Sequence, residues 1–400
     1  MFSKVPPHLI EKLKLRINHN ILRTLNQVDF KIDFNSGDYL GLSRDPELKK
    51  IVSDYFSEHP NYNFGATGSR LLSGNNKDVE RLELMLAFYH NSESALFFNS
   101  GYDANIGMLS CIARKNDTYI YDEYCHNSLI MGMKLAGCKM ILFKHNDLED
   151  LEAKLKESKG LVYLVYESLY SMDGDIPPIH EITALAIQYG AYQIIDEAHT
   201  TGIWGDNGEG MVAKEKLSDY FFARTYSCSK AVGGTGGFIL GSKYLKSFLI
   251  NYSSTFTYSA GSPLHSILFN LFAFHKIFTS PELKNNLFKL CAYFISKMKA
   301  IGFQYPDNIL GPVLPIVIKG ELQCRQLGLK LQMHGFDARP IIFPTVPRGF
   351  ERVRICLHTF NTVEQIDLFV DIVTEFLDAE SALRLPFNDV KLLNQPTYNG

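Results

Sequence analysis

The sequence predicts an α/β fold, a mainly parallel sheet flanked by helices and followed by a smaller α+β unit. Three observations predict it. From residue 95 onward, apolar runs at 95–98, 119–121, 140–143, 161–166 and 192–195 alternate with helical patterns, which is how successive βαβ units read. The last of these runs, ending Ile194-Ile195, breaks abruptly into Asp196-Glu197-Ala198-His199, as a strand does where it opens on a ligand crevice. Beyond Pro281, strands at 313–318 and 352–357 interleave with helical patterns at 321–334 and 362–377, a grouping that suits a small separate unit.

The elements follow in order. Residues 9–25 carry Leu9, Leu13 and Ile17 on one helical face, so a lead-in helix is expected to pack on the body. Near Asp33 a short strand breaks into a turn by Gly41, and a helix runs over 46–59. A glycine-rich loop at 64–74 leads into a helix over 78–89, and after the five apolar runs come a returning strand at 238–241, a helix over 243–250 and a long apolar helix over 264–278. The expected division is an N-terminal segment (1–45), a large domain (46–280) and a small domain (281–400) whose tail from Asn388 is polar.

Composition narrows the function classes. With 400 residues, 46% hydrophobic and 21% charged, the chain can bury a large core. A net charge of −3 leaves no global attraction for nucleic acid or an anionic membrane. The seven cysteines include no Cys-x-x-Cys pair, so neither a disulfide framework nor a metal site is expected, and a reducing cytoplasm fits. The start, Met-Phe-Ser-Lys-Val-Pro-Pro-His, lacks a signal pattern, and the longest apolar stretch is broken by Asn270.

Chemistry concentrates at residues 225–237. There Lys230 stands between the hydroxyls of Ser227 and Ser229 and a run of Gly233, Gly234, Gly236 and Gly237, whose missing side chains let backbone approach a ligand. Such a lysine can hold an aldehyde. Asp196 and His199 at a strand end complete the types that a pyridoxal phosphate site needs: an amine for the Schiff base, an acid for the pyridine nitrogen, and donors for the phosphate. The run at 95–98 leads to Ser100-Gly101-Tyr102, a turn opening a helix; this is either an anion site or an ordinary cap. The run at 119–121 leads to His126, whose ring either lies against an aromatic cofactor or is structural. The run at 161–166 leads to Glu167 and Ser171, with turn chemistry at 172–174.

Taken together, Asp-Tyr-Leu-Gly41, Gly-Ser-Arg-Leu-Leu-Ser-Gly74, Ser-Gly-Tyr102, His126-Asn-Ser128, Ser171-Met-Asp-Gly-Asp175, Asp196-Glu-Ala-His199, Ser-Lys230-Ala, and Pro344-Thr-Val-Pro with Arg352-Val-Arg354 resemble the α-oxoamine synthase family of fold-type I pyridoxal phosphate enzymes. The likeness covers about residues 34–377. It implies a large domain with a mainly parallel seven-stranded sheet plus a smaller α+β C-terminal domain. It implies that Lys230 carries the cofactor and moves protons at the substrate α-carbon, that Asp196 binds the pyridine nitrogen, that His199 and Ser171 lie at the ring hydroxyl, and that His126 stacks on the ring. The phosphate would be held by Ser100, Gly101, Tyr102 and Ser227, and by Ser259 from across a homodimer interface. Arg354 would fix the amino-acid carboxylate, and Glu167 would lie near the acyl group or the aldimine.

The implied reaction condenses a small amino acid with an acyl thioester and loses carbon dioxide. Asp-Tyr-Leu-Gly41, Phe256-Thr-Tyr-Ser259 and the stretch from Pro344 look most like the branch that joins L-alanine to a pimeloyl thioester in biotin synthesis. Branches using glycine with acetyl-CoA or serine with palmitoyl-CoA share the same catalytic residues, and a paralogue that kept the fold without the chemistry is the further alternative. A nicotinamide-dependent dehydrogenase fits poorly, because the glycine run follows the lysine without the expected spacing or acidic ribose partner. The chain departs from the family pattern at Gly37, where asparagine is usual, at Ser227 in place of threonine, and at Val79 in place of a frequent histidine.

Overall fold

A computed structural model describes residues 5–19, 21–25 and 30–379; the polar tail from Asn388 lies outside them. Helix α1 (Pro7–Asn18) is shorter than expected and buries none of its residues. Leu9, Leu13 and Ile17 are exposed, and residues 21–25 are not helical. Asn18 and His19 are weak helix formers, in keeping with an end about two turns early. The expected packing on the body falls instead to the following segment, where Phe34, Tyr39, Leu40 and Leu42 are buried.

That segment holds β1 (Ile32–Asp33) and continues into α2 (Pro46–Glu58), capped by Asp45, and α3 (Lys77–Tyr89), capped by Asn76. The alternation foreseen from residue 95 is then β2 (Ser94–Phe98), α4 (Gly101–Ile112), β3 (Thr118–Asp122), α5 (Asn127–Ala136), β4 (Lys139–Phe143), α6 (Leu148–Glu157), β5 (Val162–Glu167), α7 (Ile179–Tyr189) and β6 (Tyr192–Asp196). After the short α8 (Met211–Lys214) come β7 (Phe221–Ser227) and β8 (Gly237–Gly241). Together they form a seven-stranded sheet in the order β2-β8-β7-β6-β5-β3-β4, in which only β8 runs against its neighbours.

Burial on both faces explains why these strands read as continuous apolar runs. Successive residues point to opposite faces. Ile120, Leu164, Tyr166 and Ile195 join one buried cluster, while Tyr119, Tyr163, Val165 and Ile194 join another. Strand β7 was not legible as a strand because Arg224 and Thr225 interrupt it. Both are buried, and Arg224 satisfies its guanidinium on the carbonyl oxygen of His90 at 2.7 Å.

Helices α9 (Lys243–Tyr252), α10 (Ser254–Thr257), α11 (Leu264–Thr279) and α12 (Pro281–Ala300) lead to the second unit. It comprises β9 (Val313–Val317), α13 (Glu321–Met333), β10 (Phe336–Asp337), β11 (Arg339–Ile341), β12 (Arg352–Cys356) and α14 (Val363–Ala379). A three-stranded antiparallel sheet places β12 between β11 and β9, and β10 pairs in parallel with β1. Among the described residues no helix is long and apolar enough to cross a membrane.

Candidate active site

Three parallel strands end level with one another. Glu167 pairs in register with Asp196, and Asp196 with Thr225, so the residues that follow β5, β6 and β7 open into one crevice at the carboxyl edge. Asp196 is buried, and its carboxylate accepts the Asn105 side-chain amide at 2.7 Å and the Ala198 backbone N–H at 2.9 Å. Burial raises its pKa against those two donors and the charges of His126 and Lys230. A carboxylate so placed is held ready for a further positive partner.

His199 follows on the same turn, buried, with Nδ1 2.7 Å from the Tyr39 hydroxyl. Burial drives its pKa well below 6.5, and Lys230 and Arg354 add to the effect, so the imidazole is neutral. The sign of the linkage follows. Below pH 6.5 the unfolded chain takes up a proton that native His199 refuses, so native stability falls as the pH drops toward the lowered pKa. His90, which burial lowers to about 3, adds to the same acid limb. Urea midpoints measured from pH 7 to pH 5 should therefore fall, and His199→Gln should flatten the slope by up to about 1.4 kcal/mol per pH unit.

Lys230 sits in the turn after β7, fixed by Gly233 N–H to the Lys230 carbonyl at 2.8 Å and Gly234 N–H to the Cys228 carbonyl at 2.9 Å. Its amine has no ion-pair partner among the described residues, and burial with the charge of Arg354 lowers its pKa. Gly37 lies beside it: a Cβ there would come within 2.6 Å of Lys230 Cδ. The departure at Gly37 therefore leaves room that the lysine stem uses.

The loop after β2 turns at Ser100, which caps α4 by accepting the Asp103 N–H at 2.9 Å. The first amides of that helix, on Gly101 and Tyr102, have no partner inside it, and with the helix dipole they are able to take an anion. Gly101 packs tightly there: a Cβ would lie 3.1 Å from Ser227 Cβ, so Ser227 would have to give way. The Ser227 hydroxyl meets that of Ser229 at 2.9 Å. Ser259 is half-buried near the same turn, 3.3 Å from the Asn99 side chain of its own chain.

His126 caps α5, with its ring exposed and Nδ1 2.7 Å from the Ser128 hydroxyl. Ser128 in turn accepts Asn105 Nδ2 at 2.9 Å, so one buried network joins His126 to Asp196. Glu167, which the resemblance sets near the acyl group, is buried beneath His126 and accepts its backbone N–H. Burial, with Asp196 beside it, raises the Glu167 pKa well above the usual carboxylate range. Ser171 and Arg354 face each other: Arg354 Nη1 donates to the Ser171 carbonyl at 3.4 Å and Nη2 to the Asn35 carbonyl at 3.5 Å. Its Nε is buried without a partner. This guanidinium, with no carboxylate of its own, suits an incoming carboxylate. Val79 packs in the core of α3.

Asn105 was given no role in the sequence, and neither were Ser128 and Tyr39, which stand inside quoted motifs. Asn105 lies one helical turn after Gly101 on the same face, and that was the available signal. Asn105→Ala should weaken cofactor retention by about tenfold, the worth of a hydrogen bond to a charged group; absorbance titration with pyridoxal phosphate, read well below the melting temperature, measures it.

The residues present fit pyridoxal phosphate. A lysine without an ion pair among the described residues, a buried acid whose two oxygens each accept one hydrogen bond, and free amides at a helix start each match one part of it. Comparisons with known proteins agree. The aminotransferase class I and II family model matches residues 30–371. The 8-amino-7-oxononanoate synthase of Lysinibacillus sphaericus is 36% identical over 339 residues, covering 84% of this chain and 86% of the relative. That of Emericella nidulans is 34% identical over 369 residues, covering 86% and 89%. The structure of serine palmitoyltransferase from S. paucimobilis, solved with PLP and myriocin bound, superposes with a TM-score of 0.86 at 23% identity, covering 94% of this chain and 98% of that one; at that identity it shows the fold. The chain thus belongs to the aminotransferase class I and II family and, within it, to the α-oxoamine synthases, pyridoxal-phosphate-dependent acyltransferases of fold type I.

Proposed function

We propose that the protein condenses L-alanine with a pimeloyl thioester, releasing carbon dioxide and the thiol carrier, to give 8-amino-7-oxononanoate for biotin biosynthesis. The observation that carries this reading is the placement of an unpaired Lys230 amine and a carboxylate-free Arg354 guanidinium around one crevice floored by Asp196, in a chain 36% identical to an enzyme of that name.

When bound, pyridoxal phosphate supplies an electron sink for the α-carbon. Arg354 binds the alanine carboxylate and fixes which α-substituent faces Lys230. Lys230, holding the cofactor at rest, takes the α-proton once its amine is released; its lowered pKa suits a base near neutral pH. Asp196 keeps a proton on the pyridine nitrogen, His199 and Ser171 hold the ring hydroxyl, and His126 covers the ring and excludes water. The Ser100, Gly101 and Tyr102 amides and hydroxyls, with Ser227, hold the phosphate.

Ser259 of a second copy reaches the same phosphate, so the working unit is a homodimer with shared sites. Glu167 acts through His126, holding its backbone in place. Cysteine usage supports a cytoplasmic location.

Product mass tests this. Purified protein supplied with pyridoxal phosphate, L-alanine and pimeloyl-CoA should yield 8-amino-7-oxononanoate. Turnover with glycine and acetyl-CoA, or with serine and palmitoyl-CoA, and none with alanine would replace the substrates while keeping the family.

A further inference from the structure

His145 stands just beyond β4, at the edge of the sheet, and takes no part in the chemistry above. Its ring is nevertheless engaged on every side. Nδ1 lies 2.9 Å from Asp122 Oδ1, and Nε2 lies 2.9 Å from Asp175 Oδ2. Both carboxylates are fully buried, and the His145 side chain is 5% exposed. Tyr124 stacks on the ring with centroids 4.3 Å apart, and Tyr170 meets it edge-on at 4.4 Å. The His145 backbone N–H donates to Glu123 at 2.8 Å. Bonding two carboxylates at once requires both ring nitrogens to donate, and only the imidazolium does that. Burial opposes the charge, but Asp122 and Asp175 outweigh it and raise the pKa to about 10.

The partners come from two turns. Asp122 and Tyr124 belong to the turn that carries His126: the Asp122 carboxylate accepts the Tyr124 N–H at 2.8 Å, and its carbonyl accepts the Cys125 N–H at 3.1 Å. Tyr170 and Asp175 belong to the turn that carries Ser171: the Tyr170 N–H donates to the Asp175 carbonyl at 3.0 Å, and the Gly174 N–H to the Tyr170 carbonyl at 2.8 Å. Each turn contributes one carboxylate and one aromatic ring. Asn146 reinforces the join, its backbone N–H on Asp122 at 3.1 Å and its side-chain amide on Asp175 at 3.0 Å. From the small sheet, Arg352 holds the same Ser171 turn through Asp173 at 2.6 Å and the Met172 carbonyl at 3.0 Å.

We propose that Asp122, His145 and Asp175 form a clamp that fixes the spacing between the His126 turn and the Ser171 turn, making His145 a positioning residue for the two side chains that address the cofactor ring from different directions. The clamp rests on the roles assigned above to His126 and Ser171. The sheet sets this spacing only as far as the strand ends, where Asp122 closes β3 and Glu167 at the end of β5 accepts the His126 N–H; the Ser171 turn lies beyond β5 and is tied back to the Asp122 turn through His145. A buried imidazolium between two carboxylates cannot slide without leaving a carboxylate unpaired, so it defines one geometry.

His145→Gln tests it, since glutamine carries no charge and its two N–H donors sit on one nitrogen, whereas the ring bonds the two carboxylates through two separate nitrogens. The holoenzyme's visible circular dichroism, which reports how asymmetrically the ring is packed, and the pyridoxal phosphate dissociation constant are read well below the melting temperature. The clamp predicts a dissociation constant raised about tenfold or more, as for other residues that orient a binding group, and a visible band reduced by about half. A dissociation constant within twofold of the parent and an unchanged band overturn it, whatever happens to the melting temperature. If His145→Gln does not fold, Asp175→Asn, which removes one charge and keeps the ring, decides by the same readings. His126→Ala and Ser171→Ala serve as references. If both leave the band and the affinity unchanged, the ring-site roles fail and the clamp fails with them; if they alter both readings while the clamp variant does not, the clamp alone fails.

Discussion

Lys230→Ala should lose turnover by at least about 10²–10⁴-fold, the worth of a positioned proton-transfer group, and more where the covalent hold on the cofactor also matters. The fold should persist, because Lys230 has no ion pair to break among the described residues and its backbone turn is held by the Gly233 and Gly234 N–H groups. Alanine keeps the turn, and the stem that leaves uncovers only the space above Gly37. Product formation, the melting temperature and cofactor affinity, measured on one preparation, separate these effects. Activity within tenfold of the parent would remove Lys230 from the chemistry.

Arg354→Ala should produce a different signature. Among the described residues the guanidinium holds only backbone carbonyls, so its loss leaves none of their buried carboxylates without a partner. The cost should fall on the amino acid: kcat/KM for alanine down about 10–100-fold, as expected for hydrogen bonds to a charged group, with the KM for the thioester little changed. Arg354→Lys should recover only part of this, because an ammonium cannot reproduce the planar fork. Equal losses for both substrates, or none for alanine, would place carboxylate recognition elsewhere.

What could be read in the sequence follows the physics of each element. The five apolar runs were legible because strands buried on both faces admit few polar residues. Lys230, Asp196 and His199 were legible because few side chains can do their chemistry and all three stand at a strand end or a glycine turn. β7 was hidden by Arg224 and Thr225, whose polar groups are satisfied only by the folded chain. α1 misled through its periodicity, which describes an apolar stripe but not whether anything covers it. Asn105 stands one helical turn after Gly101, but that spacing does not reveal its partner, since it meets Asp196 across 91 positions. The His145 clamp draws on three separate turns and leaves no local pattern. Gly37 shows the reverse: as a departure from a family motif it signalled a missing amide, and the structure assigns the space to the Lys230 stem.

One measurement bears most directly on the central claim, that Lys230 holds pyridoxal phosphate. The protein is loaded with pyridoxal phosphate, reduced with borohydride, digested and mapped by mass. A pyridoxyl group on the peptide that spans Thr225 to Lys243, located on Lys230, is the predicted result. A colourless loaded protein with no label on that peptide, or label only on another lysine, would contradict it.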